Sequence, residues 1–103
     1  MNNLNKNTLV PIGSVVKLYN VRKLVMVYGR NQKQASSEEI FDYVAVPYPE
    51  GNITDEYNVF FNRNMIETIE HVGMQSETEL KMREKIESDI MIRVEEENSD
   101  EKN

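Results

Sequence analysis

Side chains that can ionise, attack or ligate are few in this sequence. It has one histidine, His71, and no cysteine. A thiolate nucleophile, a thiolate metal site and a disulfide framework are therefore excluded. No serine or cysteine is placed by the sequence as a partner for His71, so a nucleophile–base pair is not indicated. Metal ligation takes three or four convergent ligands, and one imidazole among dispersed carboxylates does not supply them. The four glycines form no phosphate-cradling loop. The adjacent acids Glu38-Glu39 and Asp55-Glu56 stand in polar stretches and read as solvated loop charges. His71 reads as a half-exposed structural residue. We assign no catalytic residue, no metal and no cofactor, and expect a protein that is not an enzyme.

The five tyrosines say more: Tyr19, Tyr28, Tyr43, Tyr48 and Tyr57. A phenol joins apolar area to one polar handle. Buried, it builds core; exposed, it anchors an interface. Tyr28 and Tyr43 read as core. Tyr48 stands between Pro47 and Pro49, where a stiff backbone presents the ring outward, either for surface packing or for a contact.

Elements must position these residues, and 103 residues are room for one domain. The start of the chain has no apolar stretch of signal-peptide length, and no run is long and apolar enough to cross a membrane. Without an entry signal, Asn52-Ile53-Thr54 reads as a chance glycosylation pattern. A cytoplasmic protein without membrane attachment is expected. Net charge is −6 and uneven: residues 1–75 hold eight acids and seven bases, residues 76–103 ten acids and five bases. Nucleic-acid binding needs clustered Lys and Arg to displace counterions from phosphates. Here the bases are scattered, so no nucleic-acid partner is expected.

Residues 1–7 read as a flexible N-terminus. Strands are predicted at Ser14 to Tyr19, Leu24 to Tyr28, Ile40 to Val46 and Tyr57 to Phe61. Gly29 marks a candidate bulge, and Asn31 to Glu39 reads as a polar hairpin loop. Met65 to Val72 fits strand or helix spacing; its shortness and β-branched residues favour a strand. From Ser76 the period changes. Ser76-Glu77-Thr78-Glu79 is a capping box, and Leu80, Ile86, Ile90 and Val94 lie on roughly one face of a helix predicted over 76–94. Residues 95–103 read as a disordered acidic tail. The fold class is α+β: a small, strongly bent antiparallel sheet or five-stranded SH3-like barrel over 8–75, then a C-terminal helix. The helix either covers its own barrel or meets a partner. A barrel this small leaves its far end, Ile90 to Val94, free for a contact.

Three stretches also resemble a known family. Leu9-Val10-Pro11-Ile12-Gly13-Ser14-Val15-Val16-Lys17-Leu18, with Lys23 to Arg30, resembles its opening. Phe41-Asp42-Tyr43-Val44-Ala45-Val46-Pro47-Tyr48-Pro49-Glu50-Gly51 resembles its second signature. Phe60-Phe61-Asn62 and Ile66 to Gly73 resemble its closing element. The family is an uncharacterised one of Gram-positive bacteria, domain of unknown function four-one-seven-six, and the likeness covers about residues 9–86. The resemblance implies neighbourhood with type VII secretion genes and their LXG-type toxins. It thus implies an accessory, chaperone or targeting role, with an LXG-type toxin or its small helical accessory proteins as partner. It implies no catalytic residue. The candidate protein-binding residues are Pro47, Tyr48, Pro49, Glu50 and Gly51 in the signature turn, and Ile86, Ile90 and Val94 on the helix. The competing expectation is a small regulatory barrel that binds nucleic acid or a small ligand.

Overall fold

The structure, a computed structural model, describes residues 7–102, with side chains described as far as residue 97. The expected flexibility of residues 1–6 lies outside the described residues. Among the described residues, five strands and one α-helix follow in order: β1 (Val15–Leu18), β2 (Val25–Lys33), β3 (Ile40–Pro47), β4 (Val59–Phe61), β5 (Ile66–His71) and α1 (Glu77–Lys102). One antiparallel sheet takes the order β4-β3-β2-β1-β5. It is the α+β fold read from the sequence, in its open-sheet form: β4 and β5 are the two edges, and no ladder joins them.

The chain itself forces the sheet to bend. Five strands laid flat would hold their edges about 19 Å apart. Phe61, ending β4, and Ile66, opening β5, are joined by a segment that spans at most about 17 Å when fully extended. A 3₁₀ turn at Arg63–Met65 shortens it further. The two edges are thus drawn together, and both deliver side chains to one core. That core unites Leu9, Val10, Val16, Leu18, Val25, Val27, Tyr43, Ala45, Phe61 and Ile66. The Tyr43 and Phe61 rings meet at 5.2 Å between centroids. Tyr43 is fully buried, and its hydroxyl accepts the Val10 N–H at 2.8 Å. Burial pushes its pKa up to about 12, against that backbone hydrogen bond.

Gly29 is the bulge that its position suggested. The β2–β3 register shifts between Val27 and Gly29, and a Cβ there would meet Val44 Cγ1 at 2.7 Å. Other boundaries moved. β2 runs on to Lys33, so the polar stretch from Asn31 begins as strand; cross-strand pairing with Phe41 and Ile40 outweighs its polar composition. Tyr57 closes a 3₁₀ turn, Asp55–Tyr57, instead of opening β4. Of residues 65–72, Ile66–His71 take the strand reading, as β5, and Met65 closes the Arg63–Met65 3₁₀ turn.

The helix needs two corrections. It does not end at Val94: α1 continues to Lys102, so residues 95–102 are helical where a disordered tail was expected. No Gly or Pro interrupts that stretch, and glutamate propagates a helix well. Its buried face also differs from the predicted stripe. The half-buried positions are Glu79, Arg83, Ile86, Glu87, Ile90 and Arg93, while Leu80 and Val94 are exposed. At 3.6 residues per turn, Leu80 and Val94 lie roughly 60–100° to one side of Ile86 and Ile90.

Candidate functional site

The sheet has two faces outside its core, and they differ in kind. On one, a row of partners crosses three strands: Met26 of β2 faces Val15 of β1, which faces His71 of β5. Residues at the same ladder level share a face, so these side chains stand side by side. They form the floor of a groove of about 470 Å³, walled by Gly13, Leu24, Tyr48 and Glu70. Glu70 reaches it through a β-bulge. Val15 pairs with His71 and Val16 with Ile69, so Glu70 is an extra residue on β5. Two successive side chains therefore line one groove, where plain alternation would have parted them.

Tyr48 is placed by the turn that the sequence singled out. Its N–H donates to Leu24 O at 2.9 Å, and Gly51 N–H closes the turn on Pro47 O at 2.7 Å. The Tyr48–Pro49 peptide is cis, and Gly51 takes a φ of +82°, which glycine adopts without strain. Pro49 and Glu50 are exposed, as is the Tyr48 ring. Glu50 pairs with Lys23 at 2.6 Å, and the Lys23 hydrogen bond holds its carboxyl below the usual range. Thus Tyr48 and His71, read separately from the sequence, border one groove.

The helix side is charged where the groove is apolar. Glu79 accepts from Arg30 of β2 and from Arg83 one turn on. Both Arg30 and Glu79 side chains are at least nine-tenths buried. Arg30 also donates to Val10 O. Arg63 joins Asp42 of β3 to Glu87 of α1, at 3.2 and 3.1 Å, and reaches Asn7 O. Burial works against the Arg63 charge, but hydrogen bonds to Glu87 and Asp42 overcome it and keep the pKa raised. Ile86 and Ile90 pack on the core beside these clusters. They are engaged with their own sheet, whereas Val94 is exposed. The helix residues and the Pro47–Gly51 turn are therefore not one site.

The residues that the sequence did not single out are Gly13, Val15, Leu24, Met26 and Glu70 at the groove, and both arginine clusters. Val15, Leu24 and Met26 look like ordinary strand residues until the register aligns them. Arg30, Asp42 and Arg63 carried no spacing signal, because their carboxylate and guanidinium partners come from distant elements. Chemically, the groove offers a floor of two apolar side chains and the His71 imidazole, with a carboxylate and a phenol at its rim. No group of three His, Cys, Asp or Glu side chains among the described residues is placed to hold a metal. No helix among them is long and apolar enough to cross a membrane.

Residues 9–82 match a family model described as Domain of unknown function (DUF4176). No curated protein and no solved structure matches the chain.

Proposed function

The chain belongs to the DUF4176 family, whose description assigns no function, and from that premise we propose that it is a non-catalytic protein-binding factor. In this reading it acts as an accessory, chaperone or targeting protein for a type VII secretion system. Its partner is an LXG-type toxin or one of that toxin's small helical accessory proteins, as the family resemblance implies. The observation that carries the binding role is the groove. It is concave, lined mainly by Val15, Leu24, Met26 and Tyr48, and rimmed by polar groups. An aliphatic or aromatic anchor buried in such a pocket supplies most of an interface's energy, and a Tyr at the margin is a frequent contributor.

The charge distribution also favours a protein over a nucleic acid. Seven cations of the described residues, Lys17, Lys23, Arg30, Lys33, Arg63, Arg83 and Lys85, already sit in ion pairs with carboxylates. A phosphate backbone would have to break those pairs.

Co-expression with the neighbouring genes of its operon, followed by purification through this chain, tests the proposal. Retention of an LXG-type protein or its helical partner is expected, and retention of no neighbour defeats it. Ile90→Glu is expected to lower the thermal midpoint of the protein alone, because Ile90 packs on its own core.

A further inference from the structure

The groove borders an unpaired strand edge. β5 is the last strand of the sheet, six residues long. Among the described residues, its backbone pairs only with β1 on one side. An edge of this kind is a template for another strand. Proteins commonly blunt such edges with charge, and β5 carries Glu67 and Glu70 on its exposed side, while Ile66 and Ile69 turn inward. The two glutamates are not equivalent. Glu67 is neutralised by Lys17 at 2.6 Å. Glu70 accepts from Thr68 Oγ1 at 2.6 Å and makes no ion pair among the described residues.

We propose that β5 accepts an extended strand of the partner polypeptide. One aliphatic side chain of that strand packs against His71 at the groove's outer end, and a Lys or Arg lies beside Glu70. This rests on the protein-binding reading and specifies its occupant. An added strand lies about 4.8 Å beyond β5 and points alternate side chains to one face. Glu70 and His71 are both edge residues and groove lining, so one segment can hydrogen-bond the edge and set a side chain against the groove's outer end. Main-chain bonds then give affinity, and the pocket selects the side chain.

Charge chooses the partner. Two copies of β5 paired antiparallel about the midpoint of Thr68 and Ile69 place Glu67 opposite Glu70 twice, and like charges directly opposite are destabilising. With a net charge of −6, the chain repels its own copy. A strand alternating aliphatic and basic residues meets neither obstacle.

The test uses the full chain and two capped decapeptides, one of alternating valine and lysine, the other of alternating valine and glutamate. Amide hydrogen exchange is followed residue by residue by NMR. The lysine peptide is expected to slow exchange within residues 66–71 by about tenfold or more and to shift the His71 ring resonances. The glutamate peptide is expected to do neither. Glu70→Lys should reverse the preference in a chain whose spectrum stays folded. Protection absent from β5, or a response confined to the acidic stretch Glu95–Glu97 of α1, overturns the proposal. If a neighbour protein co-purifies while β5 ignores both peptides, only the strand inference falls. If β5 is protected but no neighbour co-purifies, the strand inference holds and the secretion reading falls.

Discussion

The two sides of this sheet reverse the usual distribution of polarity. Beneath α1, where side chains leave water, the contacts are largely ionic: Arg30 with Glu79, Arg63 with Asp42 and Glu87. On the outer face, where side chains meet water, Leu24, Met26 and Tyr48 line an open groove. The difference separates two physical jobs. A buried ion pair gains little net stability against an apolar pair of the same size, but losing one member leaves a charge stranded. Such contacts fix how a helix sits without holding it very tightly. An open apolar groove gains nothing in the isolated chain; its free energy is released when something covers it. The charged side therefore orients the fold; under the proposed binding role, the apolar side is kept for a partner.

The strongest way to break this contrast is to remove the shared carboxylate. Glu79→Leu strands Arg30 in a buried site and is expected to destabilise the protein by about 3–5 kcal/mol in urea denaturation. Adding Arg30→Met to the same chain should restore part of that loss, since Arg30 is no longer stranded while Arg83 still lacks its carboxylate. A single-variant loss under about 1 kcal/mol would mean that Ile86 and Ile90 hold the helix and that the ionic contacts are incidental.

The interior between these two sides can be probed by pH. Tyr43 is buried, and its pKa is raised from 10.0 to about 12. A raised folded-state pKa stabilises the fold fully below the unfolded value, so that contribution is intact below pH 10. It falls away as the pH rises toward 12, because the unfolded chain ionises first. The two-unit difference corresponds to about 3 kcal/mol lost across that window. Tyr43→Phe should flatten the slope of stability against pH between 10 and 12. It should also lower stability near neutrality, because the Val10 N–H loses its acceptor. An unchanged slope would place the alkaline transition elsewhere.

What the sequence disclosed follows the range of the interactions. The strands, the Gly29 bulge and the Ser76 cap, whose hydroxyl accepts the Glu79 N–H at 3.1 Å, rest on neighbours a few residues apart. The outward Tyr48 was likewise legible from its two flanking prolines. The arginine clusters were not, because Arg30 and Glu79 are 49 residues apart and neither looks buried by composition. The predicted stripe failed for a related reason. Apolar spacing placed Leu80 and Val94 on the buried face, but the partners waiting on the sheet are guanidinium groups, and they turn Glu79 and Glu87 inward instead. The groove required the β1–β5 register, and a one-residue bulge decides whether Glu70 points into it or away from it.

The smallest expected effect on stability tests the outer side of the contrast. Tyr48→Ala removes a ring that is 45% exposed and whose N–H, not its side chain, fastens the turn to Leu24. If the groove is held ready for a partner, stability should change by no more than about 0.5 kcal/mol, and co-purification of the partner should still be lost. A larger loss of stability would mean that the ring closes the groove for the fold's own sake. The two faces would then differ in polarity without differing in purpose. Unchanged stability with full partner retention would move the docking face off this groove. The measurement therefore reads the groove against the helix side directly: there one carboxylate is worth several kcal/mol to the fold, whereas here a whole aromatic ring is expected to matter only when a second protein is present.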